Sequence, residues 1–467
     1  MRENLEKIPK VDKVLNDEFF SGLKNKYKNA ILVKLIQAEL DILRRNIIDG
    51  KIKKISPDFI RGLSGHIERK FRPFTTRVVN GTGVVLNTGL GRAPLSDKAI
   101  KISESILHGY CSLEVDIESG KRGRREDKIS ELISLITGAE AATVVNNNAA
   151  AVMICINSIA ARKEVIISRG ELVEIGGSFR MPDIIKKSGA KMIEVGATNK
   201  TKISDFEEAI TSRTGALLKV HTSNYKIKGF VEEIELKHLS ALSKKHNIPL
   251  YYDLGGGIFE DLEKYGLPHE PTAQEAVNEG ADLFSFSGDK VLGGPQCGII
   301  AGKKEFVEKV KKNPLMRVLR TDKIRLALLE ETLKYFLTDD PVKNGHLTLK
   351  LLSEGRDSLR KKAESLKYEL EKIVPKSWRL SIEEVSDQAG SGTMPTERLN
   401  GIAVSVKQND LSVSRLAEEM RIISYVPVFG YISDEKYYLS VRTIFERDFN
   451  DIGSSLKRIV SKYKLNN

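Results

Sequence analysis

The sequence predicts an α/β protein: a mainly parallel sheet with helices on both faces, a helical unit before it and a small α+β unit after it. Three observations predict this. Seven short β-branched or aromatic stretches recur between residues 143 and 301, most of them separated by helical stretches. Apolar residues at helical spacing dominate the first 70 residues. Strand-like and helix-like stretches mix again beyond residue 336.

The expected domains are a helical basic unit over 1–70, a linker over 71–84, an α/β domain over 85–335 and an α+β domain over 336–467. In the first, Ile31, Leu32, Leu35, Ile36, Leu40 and Leu43 lie on one helical face, and Asp49-Gly50 stops that helix. Ser56-Pro57-Asp58 reads as a cap opening a second helix. Residues 1–72 hold 17 Lys/Arg against 10 Asp/Glu, over half of the chain's net +12. Clustered cations suit a polyanionic partner through counterion release, and equally a solvated helical surface.

Phe71-Arg72-Pro73-Phe74 reads as the linker, because Pro73 cannot donate a hydrogen bond and restricts its neighbour. Four glycines follow within the segment from Asn80 to Gly91, which suits backbone that approaches a ligand or another chain. The pattern is neither GxGxxG nor a P-loop. Arg92 fits an anion clamp or a plain surface arginine.

The seven strands are expected at Thr143–Val145, Val165–Ile167, Met192–Val195, Ala216–Val220, Leu250–Asp253, Leu283–Phe286 and Gly298–Ala301. Long helices are expected around 323–337 and 347–373. Strands at Gly401–Val406 and Tyr437–Arg442 and helices at Ser412–Met420 and Asp451–Tyr463 follow. No apolar run reaches the roughly 18–20 residues of a membrane span. The charged N-terminus lacks an apolar signal core, so a cytoplasmic protein is expected. Cys111, Cys155 and Cys297 are scattered, and no histidine spacing suggests a metal.

Three strand ends converge on one crevice beyond the carboxyl edge of the sheet. Asn146-Asn147-Asn148 opens a helix whose free N–H groups suit a phosphate. Asp253 ends an apolar strand and precedes Gly255-Gly256-Gly257. Lys290 follows the next strand on a loop rich in glycine, with Ser287 three residues before it. Each also has a plainer reading: an N-cap, a turn-forming acid and a surface lysine. Together they match one cofactor, pyridoxal phosphate, which needs a lysine for its Schiff base, a carboxylate at its ring nitrogen and an anion site. Ser287 and Asn148, or neighbouring amides, are expected at the phosphate, and Ser223 near the ring hydroxyl. Arg169 and Glu171 are candidates to flank the ring.

The order of Asp253 then Lys290 resembles the aspartate-aminotransferase fold, fold type I of the pyridoxal phosphate enzymes. More narrowly, three segments resemble the bacterial selenocysteine synthases, the L-seryl-tRNA(Sec) selenium transferases. They are Asn80-Gly81-Thr82-Gly83 through Leu95-Ser96, Ser285-Phe286-Ser287-Gly288-Asp289-Lys290-Val291-Leu292-Gly293-Gly294-Pro295-Gln296-Cys297-Gly298, and Arg317 through Arg320. Gly390-Ser391-Gly392-Thr393-Met394-Pro395 is similar to a looser form of the family's Gly-rich segment.

The resemblance implies conversion of the serine on tRNA(Sec) to selenocysteine by loss of water and addition of selenium from selenophosphate. It implies Lys290 as general base, Asp253 at the ring nitrogen, and Arg92, Arg317 and Arg320 as the arginines that hold the selenium donor. It also implies tRNA binding by the N-terminal unit and a homo-oligomer, a ring of dimers making a decamer. Lys121, Arg122, Arg124, Arg125 and Lys128 form a basic run that fits tRNA contact or a solvated face. The alternative is a pyridoxal phosphate lyase acting on a small phosphorylated amino acid or amino sugar.

Overall fold

A computed structural model describes residues 5–71, 73–176, 179–390, 392–395 and 397–465. It has two compact units, Met1–Arg77 and Val78–Asn467.

In the first unit the helix Asn29–Ile48 buries Leu32, Ile36, Leu40, Leu43 and Ile47, a 3.6-residue stripe. Ile31, expected on that stripe, is exposed. The helix stops at Asp49, and Gly50 takes a left-handed φ of +68°. The second helix runs over Phe59–Lys70, two residues later than Ser56-Pro57-Asp58 suggests. Ser56 instead closes a turn, its Oγ accepting from the Asp58 N–H at 3.2 Å. Val14, Phe20, Leu63 and Ile67 complete a small separate core. Arg72 lies outside the described residues.

In the second unit seven strands form the main sheet: β1 Ala141–Val145, β2 Glu164–Ser168, β3 Lys191–Val195, β4 Thr214–Val220, β5 Leu250–Gly255, β6 Leu283–Ser287 and β7 Gly298–Gly302. Their spatial order is β1-β7-β6-β5-β4-β2-β3. β7 runs antiparallel to both β1 and β6, and the other neighbours pair parallel. All five residues of β2, of β6 and of β7 are buried, as a sheet covered on both faces requires.

The smaller sheet contains β8 Arg379–Gly390, β9 Leu399–Lys407, β10 Tyr431–Ser433 and β11 Lys436–Ser440. Its fifth strand is Val84–Leu86, paired parallel to β8 at Gln388 and Gly390. Val79–Asn80 likewise pairs parallel to Val428–Phe429. The boundary between the two units, at Arg77 and Val78, falls inside the expected 71–84 linker, while the segments on either side of 85 and of 336 lie in one compact unit. The reason is a buried ion pair. Arg442 Nε donates to Asp387 Oδ2 at 3.0 Å, and its Nη groups donate to the carbonyls of Leu351 and Asn400 at 2.8 and 2.7 Å. Gly83 packs directly on Asp387, where a Cβ would overlap the carboxylate, and its N–H donates to Thr443 Oγ1 at 3.2 Å. Burial stabilises such a pair only when every donor is matched, and here the guanidinium is. The helix expected over 347–373 is two, Leu347–Ser353 and Arg356–Glu371, broken at Gly355.

His346 is buried beneath the Lys290 loop. Its Nε2 donates to the Leu292 carbonyl at 2.9 Å, and its Nδ1 accepts the Leu349 N–H at 3.2 Å. This fixes one neutral tautomer, and a second proton would displace the Leu349 bond. Burial accordingly lowers its pKa from 6.5 to about 4. Because the folded pKa is depressed, the unfolded chain takes the proton first. Stability is full above pH 6.5 and declines as pH falls toward 4, by about 3 kcal/mol in total. Replacing His346 with Gln, which keeps one donor and one acceptor, should flatten this segment of a stability–pH curve from denaturant melts. An unchanged slope would assign the effect to other groups.

Candidate active site

β5 and β6 are neighbours, with Ser285 paired to Asp253. The end of one strand and the loop after the other therefore bring Asp253 and Lys290 to the same sheet edge. Asp253 is 4% exposed and Lys290 6%. Burial raises the Asp253 pKa, against hydrogen bonds from Asn148 and Gly255 and the charges of Lys290 and His221. Burial lowers the Lys290 pKa, against the charge of Asp253, with Arg92 lowering it further and Asp289 opposing. Desolvation thus pushes both groups toward neutrality while each supports the other's charge.

Asn148 Nδ2 donates to Asp253 Oδ1 at 2.8 Å, and the Gly255 N–H donates to the same oxygen at 3.2 Å. The Asn148 side chain, expected at the phosphate, is thus committed to the acid. Helix Asn148–Ala160 is capped by Asn147, whose side chain accepts from the Ala150 N–H. Asn148 and Ala149 are the first two helical residues, so their N–H groups have no intrahelical acceptor. The helix ends there because β7 passes tightly: a Cβ on Gly298 would overlap the Asn147 backbone.

Lys290, Asp253, Asn148, Ser287, Arg92 and His221 line one open cleft of about 280 Å3, close to the lower end of the roughly 300–1,000 Å3 usual for cofactor sites. Ser223 is buried beside it. A Cβ on Gly255 would sit 3.1 Å from Ser223 Oγ and 3.9 Å from Lys290 Nζ. Among the described residues, Arg92 Nε, Asn148 Oδ1 and Ser223 Oγ are buried without a hydrogen-bond partner. Orphaned polar atoms cost about 1–3 kcal/mol each, so three of them around one amine suit a polar ligand. Acid, amine, free helix N–H groups and unpartnered hydroxyl together fit pyridoxal phosphate.

Arg92 holds a left-handed φ of +61°, rare for a residue with a Cβ, and its Nη1 donates to Asp289 Oδ2 at 2.7 Å. Asp289 therefore anchors the Gly-rich Asn80–Ser96 segment to the lysine loop. Arg317 and Arg320 are not in this cleft. They are exposed and line a second one with Arg122, Arg124, Arg125 and Lys311. They do not share a helix face either: the helix is Leu315–Leu319, and Arg320 is its extended cap, bridged to Val145 at the end of β1. In the basic run, Arg122 and Arg125 pair with Glu114, Arg124 with Glu308 and Lys128 with Glu131. Arg169 and Glu171 do not flank the cleft. Arg169 bonds Glu194 and the Gly196 carbonyl, while Glu171 accepts from Lys219 and from the Val220 N–H.

Three residues of the site lacked a signal strong enough to single them out. Gly392 packs on Lys290, where a Cβ would overlap the amine and its stem. Ser391 lies outside the described residues. His221 follows Val220, the register partner of Asp253 on β4, and is the readable one in retrospect. Glu270 bonds its ring.

With that geometry in hand, comparison with known proteins is direct. The profile of the L-seryl-tRNA selenium transferases matches residues 78–445. The L-seryl-tRNA(Sec) selenium transferase of Carboxydothermus hydrogenoformans is 43% identical over 466 residues, covering 98% of this chain and 97% of the relative. That of Alkaliphilus metalliredigens is 42% identical over 462 residues, with 97% and 98% covered. The chain belongs to the L-seryl-tRNA selenium transferase family. As a member of that family it is a pyridoxal phosphate enzyme of the aspartate-aminotransferase-like fold. A D-glucosaminate-6-phosphate ammonia-lyase structure shares the fold, with a TM-score of 0.58 over 85% of this chain and 99% of the lyase, at 19% identity.

Two outcomes follow. Gly392→Ala, strained at φ +79° and driven into Lys290, should abolish the visible absorbance of lysine-bound cofactor while leaving the far-ultraviolet spectrum unchanged. Asn148→Ala should weaken cofactor binding about tenfold, the loss of one charge-assisted hydrogen bond of about 1.4 kcal/mol. A fluorescence titration of the apoenzyme measures it.

Proposed function

We propose that this chain converts seryl-tRNA(Sec) to selenocysteinyl-tRNA(Sec), replacing the serine hydroxyl by selenium from selenophosphate. The observation that carries the reading is the buried Asp253–Lys290 pair at one sheet edge of a chain over 40% identical to named L-seryl-tRNA(Sec) selenium transferases.

Bound in the Lys290 cleft, pyridoxal phosphate supplies an electron sink for the α-carbon of the serine. The chain supplies the rest. The N–H groups of Asn148 and Ala149, with Ser287, hold the phosphate. Asp253, whose charged form Asn148, Gly255 and the nearby cations favour against the larger effect of burial, would hold the proton on the ring nitrogen. Ser223 Oγ faces no competing partner and is the donor for the ring hydroxyl. Lys290, whose pKa burial depresses, removes the α-proton as an uncharged amine. Water leaves from the β-carbon, selenium takes its place and phosphate departs. Arg92 stands next to the amine and takes the anionic donor. Arg317 and Arg320, in the second cleft, join it if a partner chain brings that cleft over the first. That is the reading's reason for a homo-oligomer, a ring of dimers, in the cytoplasm.

The N-terminal unit, rich in Lys and Arg, is the tRNA-binding element in this reading. Deleting residues 1–70 should leave cofactor absorbance intact and abolish binding of tRNA(Sec) in a filter or mobility assay; undiminished affinity would move that role elsewhere. Purified enzyme should turn over seryl-tRNA with selenophosphate and leave phosphorylated amino sugars untouched. The reverse preference would assign the chain to the lyases.

A further inference from the structure

Glu270 sits on a loop between Pro268 and Pro271, whose rings limit its backbone freedom. Its side chain is 12% exposed, and both oxygens are used. Oε2 lies 3.0 Å from His221 Nε2. Oε1 accepts the Met394 N–H at 3.1 Å. These two bonds reach two different segments of the chain. His221 lines the cleft, and its own N–H donates to the Asp253 carbonyl at 2.8 Å. Met394 belongs to the loop whose Gly392 packs on Lys290. That loop is strained: Gly392 has φ +79°, and Met394, which carries a Cβ, has φ +45°. A left-handed conformation at a non-glycine persists only where surrounding bonds over-determine it. Glu270 provides such a bond.

We propose that Glu270 is a positioning residue for the Asp253–Lys290 pair, holding the His221 ring beside the acid with one oxygen and the 392–395 loop against the amine with the other. The proposal rests on the reading of Asp253 and Lys290 as cofactor residues. Asp253, Lys290, Arg92 and Asp289 are the charged groups that share this pocket with His221. With Nε2–H donating to Glu270, the ring is held in the cleft it shares with Asp253. Glu270 thereby acts on the acid one step removed.

The two arms separate by substitution in the full-length holoenzyme. Glu270→Gln keeps an oxygen for the Met394 N–H but loses the charge opposite His221. Glu270→Ala loses both. Hydrogen exchange of the peptide spanning 390–398 should accelerate at least tenfold in Glu270→Ala and stay at the wild-type rate in Glu270→Gln. For seryl-tRNA conversion, kcat should fall about tenfold in Glu270→Gln and in His221→Phe, with KM unchanged. The Glu270→Gln/His221→Phe double variant should be no slower than either single, since both break one link. Wild-type exchange in Glu270→Ala, or additive losses in the double variant, would overturn the proposal. If Glu270→Ala does not fold, the Gln and Phe variants decide through the kcat cycle. Retention of the visible band by Lys290→Ala would remove the cofactor reading itself, an outcome distinct from failure of the relay.

Discussion

Asp253 and Lys290 carry opposite charges into a place with almost no water, and the rest of the second unit is arranged around that fact. Neither strand end could hold its group alone. An isolated buried carboxylate or ammonium would shift its pKa until neutral, and burial does push each of these in that direction. What supports the charge on the acid is a set of groups from its own strand and from others: the Gly255 N–H, the Asn148 amide and the cations nearby. What keeps the amine usable is a partial loss of its proton affinity. A base that works near neutrality needs that depression, and a ring nitrogen that must stay protonated needs an acid that remains charged. Both demands fall on one buried pair, the acid on β5 and the amine on the loop that follows the adjacent parallel β6.

Small residues make that closeness geometrically possible. Gly392 lies on the lysine stem, Gly298 lets β7 pass the phosphate helix, and Gly83 lets the Val84–Leu86 strand join the smaller sheet beside Asp387. The buried Arg442–Asp387 pair then ties the Gly-rich segment bearing Arg92 to the sheet whose end bears Gly392. Two walls of the cleft therefore spring from one polar core. The lysine loop is fixed separately from below by His346 and from the side by the Arg92–Asp289 bond.

Much of this was legible in the sequence. The seven strands of the main sheet were readable because each is a short run rich in apolar residues and most are separated by helices, the signature of a two-faced sheet. Lys290 and Asp253 were readable because each follows such a strand. The features that escaped are tertiary in origin. β8 was missed because Glu383, Glu384 and Asp387 interrupt its apolar pattern; the structure matches them with Lys436, Arg356 and Arg442 from distant segments. Val84–Leu86 was not read as a strand because its partner strand lies some 300 residues away. Asn148 was placed at the phosphate from its position at a helix start, and only the register of β5 shows that Asp253 claims its side chain. Arg320 was expected on a helix face because nothing in Leu315–Arg320 signals that the helix stops at Leu319 to bridge β1.

The claim beneath all of this is that one particular amine, depressed by burial and faced by Asp253, is the residue that carries the cofactor. Borohydride reduction of the holoenzyme followed by peptide mass mapping tests it most directly. The account predicts a pyridoxyl group on Lys290, within the peptide that also contains Ser287 and Asp289. A pyridoxyl group on any other lysine, or no covalent label in cofactor-saturated enzyme, would contradict it.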